Sequence, residues 1–236
     1  MKKTIHKAES RGHADHGWLN AHHSFSFASY QNPEKTRFGL LRVLNDDIVQ
    51  PGMGFGTHPH DNMEIVTIPL KGELAHKDST GNKEVIKKNE VQIMSAGSGL
   101  THSEFNSSQT DIVNLLQIWV FPKEKNIKPR YEQKIFNPED RKNVFKIIVS
   151  PKKENGALWI NQDAYFSLGN LDEGKELKYD INHKANGLYI FIIEGEIEID
   201  GEKLSKRDAI ALEEIENVDI KANKNSEILL IEVPMN

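Results

Sequence analysis

The apolar residues of this chain come in short segments that either alternate or run continuously, and this constrains the fold more than any other feature. Phe38 to Leu44, Glu64 to Pro69, Val91 to Met94, Ile112 to Phe121, Val144 to Val149, Leu188 to Ile193, Glu196 to Ile199 and Glu227 to Val233 all read as strands. Turn sequences stand between them, among them DSTGN at 78–82, KENG at 153–156 and IDGEK at 199–203. Many short strands punctuated in this way make a β-sandwich or barrel. Long helical periodicity is scarce. Only NPEDRKNV, 137–144, predicts a short helix, with Asn137 placed to cap it and Pro138 suited to its first turn.

At 236 residues the chain can form one large β domain or two smaller ones. A faint repeat favours two. EIVTIPLKGEL (64–74) matches LYIFIIEGEIEI (188–199) in layout: an apolar strand, a charged residue, glycine, glutamate and a second strand. NEVQIM (89–94) likewise matches RDAIAL (207–212), so that Gly72 corresponds to Gly195 and Glu90 to Asp208.

Composition excludes several function classes. With no cysteine there is no disulfide, thiolate nucleophile or cysteine zinc site. Thirty basic and 35 acidic residues are interspersed, and no basic stripe of the kind that neutralises phosphates is present, so direct nucleic-acid binding is not expected. The longest apolar run, IVNLLQIWVF at 112–121, is too short to cross a bilayer. MKKTIHKAESRGHADHG at the start lacks the apolar centre of a signal peptide, and a cytoplasmic protein is expected.

Nine of the ten histidines precede residue 103, and only His183 follows. Strand side chains alternate faces, so in GTHPHDNMEIV (56–66) His58, His60, Asn62 and Glu64 share a side if the stretch is extended. In SAGSGLTHSEFN (95–106) a glycine turn precedes His102 and Glu104, which again share a side. Two such strands side by side can surround a cation with three imidazoles and a carboxylate, a set suited to iron, manganese, nickel, copper or zinc. The competing reading of His58 and His60 alone is a polar rim on an ordinary strand. His6, His13 and His16 are expected in solvent, His22 and His23 in structural hydrogen bonds, and His76 on the surface. Trp18, Phe25, Phe27 and Tyr30 either line a cleft or pack a core, and Gln117 either faces the interior or bonds at the core edge.

Gly52, His58, His60 and Glu64 resemble the first cupin motif, with Gly72 one position late. GSGLTHSEFN around His102 resembles the second, with Gly97 in place of its proline. GWLNAHHSFSFASY (17–30), HPHDNMEIVTIPLKGELAHKDSTGN (58–82), EVQIMSAGSGLTHSEFN (90–106) and LLQIWVFP (115–122) are similar to the pirin family, a bicupin group. Beyond them the likeness rests on the repeat and on QDAYFSL (162–168).

The resemblance implies an all-β fold of two jelly-roll-like cupin barrels packed together, residues 1–125 holding a metal and residues 126–236 forming a degenerate barrel without one. It implies His58, His60, His102 and Glu104 as ligands of one divalent transition metal, with iron preferred and zinc, manganese, nickel, copper or cobalt compatible. Glu64, a ligand in many other cupins, then faces inward behind the ligands, where it is expected to orient a histidine or a bound water. Aligning the repeats sets Ile181, His183, Gly187 and Ile220 against His58, His60, Glu64 and His102, a set unable to hold an ion; His183 is read as structural. The implied activity is that of a quercetin 2,3-dioxygenase, in which Glu104 takes a flavonol's hydroxyl proton as general base and dioxygen opens the ring with loss of carbon monoxide. The implied partners are a small flavonol-like aromatic and dioxygen, with no nucleic acid and no membrane. Two other classes compete: a non-catalytic, redox-sensitive iron module that binds a protein partner or acts as a transcriptional cofactor, and a closed structural metal site.

Overall fold

The computed structural model describes residues 1–236. Its strands form four sheets, two of seven strands and two of four. In the N-terminal lobe the larger sheet runs, in spatial order, Arg130–Ile135, Glu90–Ser95, Glu64–Lys71, Val113–Val120, Leu41–Val49, Leu19–His23 and Gly12–Asp15. The smaller sheet runs Gly54–His60, Leu100–Asn106, Glu73–Asp78 and Lys83–Lys87. The C-terminal lobe repeats the plan with Lys2–His6, Ala209–Glu213, Asn186–Glu194, Ser226–Pro234, Tyr165–Leu171, Lys146–Ser150 and Leu158–Trp159, and with Glu176–Asp180, Asn217–Ala222, Glu196–Ile199 and Glu202–Ser205. The fold is all-β and cupin-type, each lobe being a pair of facing sheets and not a barrel closed by hydrogen bonds. Every named strand pair is antiparallel except Lys146–Ser150 with Leu158–Trp159.

The repeat seen in the sequence is this duplication. Gly72 and Gly195 occupy the same turn in the two lobes, at φ +75° and +89°. Two strands cross between lobes: Lys2–His6 pairs with Ala209–Glu213, and Arg130–Ile135 pairs with Glu90–Ser95.

The large sheets also explain the unbroken apolar runs. A cluster of 27 buried residues, including Phe25, Leu44, Val66, Ile118, Phe166, Phe191 and Ile231, draws on both large sheets. A strand such as Asn186–Glu194 is therefore covered on both faces and needs no polar side. Inside the C-terminal lobe lies a second apolar cluster of 15 residues. Inside the N-terminal lobe the apolar side chains are divided into groups of seven and four. Polar residues account for the division. Thr67 lies opposite Gln117 and Gln92 in the N-terminal sheet, whereas Ile190 lies opposite Leu230 and Ile210 in its counterpart.

Three expectations are corrected. Residues 137–144 form no α-helix; Pro138–Arg141 makes one 3₁₀ turn, and the Asn137 side chain makes no capping bond. His6 is buried, with its Nδ1 2.9 Å from the Tyr189 hydroxyl, because its strand is an integral member of the far lobe's sheet. His183 lies outside the strands and is exposed; Leu177, Tyr179, Val218 and Ile220 pack into the C-terminal interior from the small sheet.

Candidate metal centre

The small N-terminal sheet delivers the histidines. His58 and His102 are directly opposed on Gly54–His60 and Leu100–Asn106, and His60 follows two residues on. Leu100–Asn106 alternates buried positions with exposed or half-buried ones, sending Leu100, His102, Glu104 and Asn106 inward. The turn before it requires Gly97, which has φ +51° and lies beneath the Ile127 carbonyl, where a Cβ would collide.

The donor atoms of His58, His60 and His102 all lie within 4.8 Å of one another, and those of His76, His102 and Glu104 do likewise. Ring centroids are 4.4 Å apart for His58 and His102, 4.8 Å for His60 and His102, and 4.9 Å for His58 and His60. His58 Nδ1 is 2.8 Å from the Gly56 carbonyl, which fixes the proton there and leaves Nε2 as the free donor. His102 is 2 % exposed, and neither of its ring nitrogens has a hydrogen-bond partner. An ion would satisfy one of these orphaned nitrogens, the one that faces the other donors.

Electrostatics agree. Burial and the neighbouring imidazoles hold His102 down to about 2, and burial with His58 beside it holds His60 near about 4, so both are neutral and able to coordinate. Glu104 is buried, and burial pushes its carboxyl up to about 7 against the opposing effect of Gln117. Gln117 Nε2 donates to Glu104 Oε2 at 3.0 Å, and Thr67 Oγ donates to Gln117 Oε1 at 3.1 Å. Gln117 therefore faces the interior, and the polar break in the apolar core is the support for this carboxylate.

Glu64 does not orient a histidine. The chain turns at Asn62, at φ +43°, which ends the alternation that began at His58. Glu64 Oε2 accepts from Ser95 Oγ at 2.8 Å and from the Asn161 backbone N–H at 3.2 Å, so it ties the N-terminal lobe to the other.

His76 is not on the surface. It is 1 % exposed because its strand lies beside Leu100–Asn106, with His76 opposite Glu104. Its Nε2 is 3.3 Å from Asp78 Oδ2, its Nδ1 has no partner, and its ring lies 5.2 Å from that of His102. Expectation and structure agree for His13 and His16, which are exposed, and for His23, whose Nδ1 is 2.9 Å from Asn45 Oδ1; His22, expected in a structural hydrogen bond, instead stacks on the His13 ring at 4.6 Å.

The imidazoles open onto a cavity of about 210 Å³ lined by Phe27, Phe55 and Trp119 together with Asn45, Asp47, His58, His60, Glu104 and Gln117. Asp47 and Asn45 escaped the sequence reading. Their signal was NDD at 45–47, three polar residues interrupting the apolar strand Leu41–Val49. Asp47 is 5 % exposed, and burial, with Asp46 and Glu104 nearby, pushes its carboxyl up to about 8.

Two facing-sheet lobes, one with an imidazole–carboxylate cluster under an aromatic-walled cavity, define a bicupin with a candidate metal centre. Residues 4–120 match the Pirin family model, and residues 147–233 match that of the quercetinase C-terminal cupin domain. The quercetin 2,3-dioxygenase of Escherichia coli strain K12 is 42 % identical over 230 residues, 98 % of each chain. A pirin-like protein of Caulobacter vibrioides is 37 % identical over 94 % of this chain and 95 % of its own. A crystal structure of a bacterial pirin from Escherichia coli in complex with nickel(II) superposes with a TM-score of 0.94 at 40 % identity, covering 99 % of both chains. The chain belongs to the pirin family.

Proposed function

We propose that this chain is a metal-dependent dioxygenase of the pirin type that opens flavonols such as quercetin with dioxygen, and that His58, His60, His102 and Glu104 hold its ion. The observation that carries the reading is His102: a buried imidazole, unpartnered at both nitrogens, with His58, His60 and His76 around it and Glu104 within reach. The name of the Escherichia coli relative supports the substrate class, and its nickel-bound structural neighbour supports a divalent transition ion.

An ion held by His58, His60, His102 and Glu104 would supply Lewis acidity toward a vicinal hydroxyl–carbonyl pair and dioxygen. The chain's own residues do the rest. Phe27, Phe55 and Trp119 take up the planar rings and keep water out. Gln117 donates to Glu104 Oε2 and fixes the carboxylate, which accepts the substrate's hydroxyl proton as general base while also serving as a ligand. With the Gly56 carbonyl fixing His58, the imidazole lone pair is aimed before any ligand arrives.

The test is flavonol turnover and carbon monoxide release by protein reconstituted with nickel(II) or iron(II), compared with His58→Ala carrying a measured metal content. Loss of turnover in the variant is expected. Equal turnover by both proteins overturns the ligand assignment. Metal uptake without any turnover would point to a binding module.

A further inference from the structure

Asp47 is not used by the mechanism above, and its carboxyl is unusual. It is 5 % exposed, it lines the aromatic cavity, and no hydrogen bond reaches either of its oxygens; Oδ1 is fully buried without a partner. The only side-chain hydrogen bond it receives goes to its backbone carbonyl, from Asn114 Nδ2. The adjacent Asp46, by contrast, is held by Arg11, Asn114 and Arg207. A buried carboxyl without a donor weakens the fold, and in a cavity the expected reason is a ligand that completes it.

Its position in the fold says which part of a ligand that is. His58, His60, His102 and Glu104 belong to the small sheet, whereas Asp47 lies on Leu41–Val49 in the facing large sheet. Phe27 and Trp119, whose rings meet edge to face at 5.4 Å, line the same cavity. A planar ligand with two oxygens toward the histidines therefore presents its remainder to the large sheet.

We propose that Asp47 determines specificity by hydrogen-bonding a hydroxyl that lies outside the oxygen pair directed at the ion, so that the preferred substrate is a polyhydroxylated aromatic and not one bearing the chelating pair alone. This rests on the functional reading above and adds a second recognition point to it.

The experiment is an anaerobic tryptophan-fluorescence titration of nickel(II)-loaded protein with quercetin and with 3-hydroxyflavone, which carries only the vicinal pair. Wild type, Asp47→Ala and Asp47→Asn are compared, with bound nickel quantified in each. Asp47→Ala is expected to weaken quercetin about tenfold or more while moving 3-hydroxyflavone less than about twofold. Asp47→Asn, whose side-chain oxygen still accepts from a hydroxyl, is expected to hold quercetin within about threefold of wild type. Equal losses for both ligands, no loss for either, or loss of nickel from the variants overturns the proposal alone. Failure of wild type to bind either compound overturns the functional reading and this proposal with it.

Discussion

Replacing His102 by leucine is expected to stabilise the metal-free protein and to abolish its response to metal. The imidazole is 2 % exposed and both nitrogens are orphaned. Each unsatisfied buried polar atom costs about 1–3 kcal/mol. A leucine of similar volume removes both penalties and introduces a packing mismatch of about 1.5 kcal/mol at most. With both penalties at their low end and the mismatch at its full value, the variant in chelator is therefore expected to be more stable than wild type by at least about 0.5 kcal/mol. With nickel(II) at a thousand times its dissociation constant, wild type gains about 4.1 kcal/mol, and the variant gains much less. Guanidinium unfolding followed by tryptophan fluorescence, in EDTA and in nickel(II), reads both arms. A variant less stable than wild type in EDTA, or equal nickel-induced shifts in the two proteins, would refute the reasoning.

Two further outcomes are expected. Arg207→Met removes a half of an ion pair whose side chains are 13 % and 9 % exposed; because Arg11 and Asn114 still reach Asp46, the loss is expected at about 3 kcal/mol, the low end for a broken buried pair, measured by chemical unfolding. For His6, burial lowers the folded imidazole from 6.5 to about 4, with Lys35 adding to the effect, so between these values only the unfolded chain takes up the proton. Its neutral form is matched in both states above pH 6.5, and stability falls as pH drops through the window to about 4. The gap corresponds to about 3 kcal/mol at 1.36 kcal/mol per pH unit. His6→Gln is expected to flatten the decline between pH 6.5 and 4.5, and identical pH slopes for the two proteins would contradict this.

The strands and the duplication were legible because both depend on local patterns: apolar segments, turn residues and a repeated strand–glycine–strand unit. The histidine pair at 58 and 60 and the pair His102 and Glu104 were legible for the same reason, since parity along one strand decides which side chains share a face. Parity fails where the backbone leaves extended geometry. Asn62 turns the chain, and Glu64, on the same count as His60, ends up bonded to Ser95 and Asn161. His76 was misplaced because its burial comes from a neighbouring strand that is distant in sequence. His6 was misplaced because its strand joins a sheet some two hundred residues away, where it pairs with Ala209–Glu213. Asp47 carried a local sign, a polar triplet in an apolar strand, but its meaning depends on the aromatic cavity that only the folded chain assembles.

The arrangement also gives the second lobe a physical part in the first. Its small-sheet interior positions include Leu177, Tyr179, Val218 and Ile220, packed in an apolar cluster, so it brings no comparable set of imidazoles. It does reach the back of the N-terminal site at two points. The Asn161 N–H holds Glu64, and Arg207, donating to Asp46 Oδ2 at 2.8 Å and to Asn114 Oδ1 at 3.1 Å, holds the residue next to Asp47. Both contacts lie on the large-sheet side, beneath the strands that carry Gln117 and Asp47. In a shared core of 27 side chains such struts are not free to move independently. The polar residues that a lone N-terminal sheet would leave without support are thus fixed from outside. The duplicated lobe, with its own interior filled by apolar side chains, acts as the rigid backing for the one that carries the imidazole cluster.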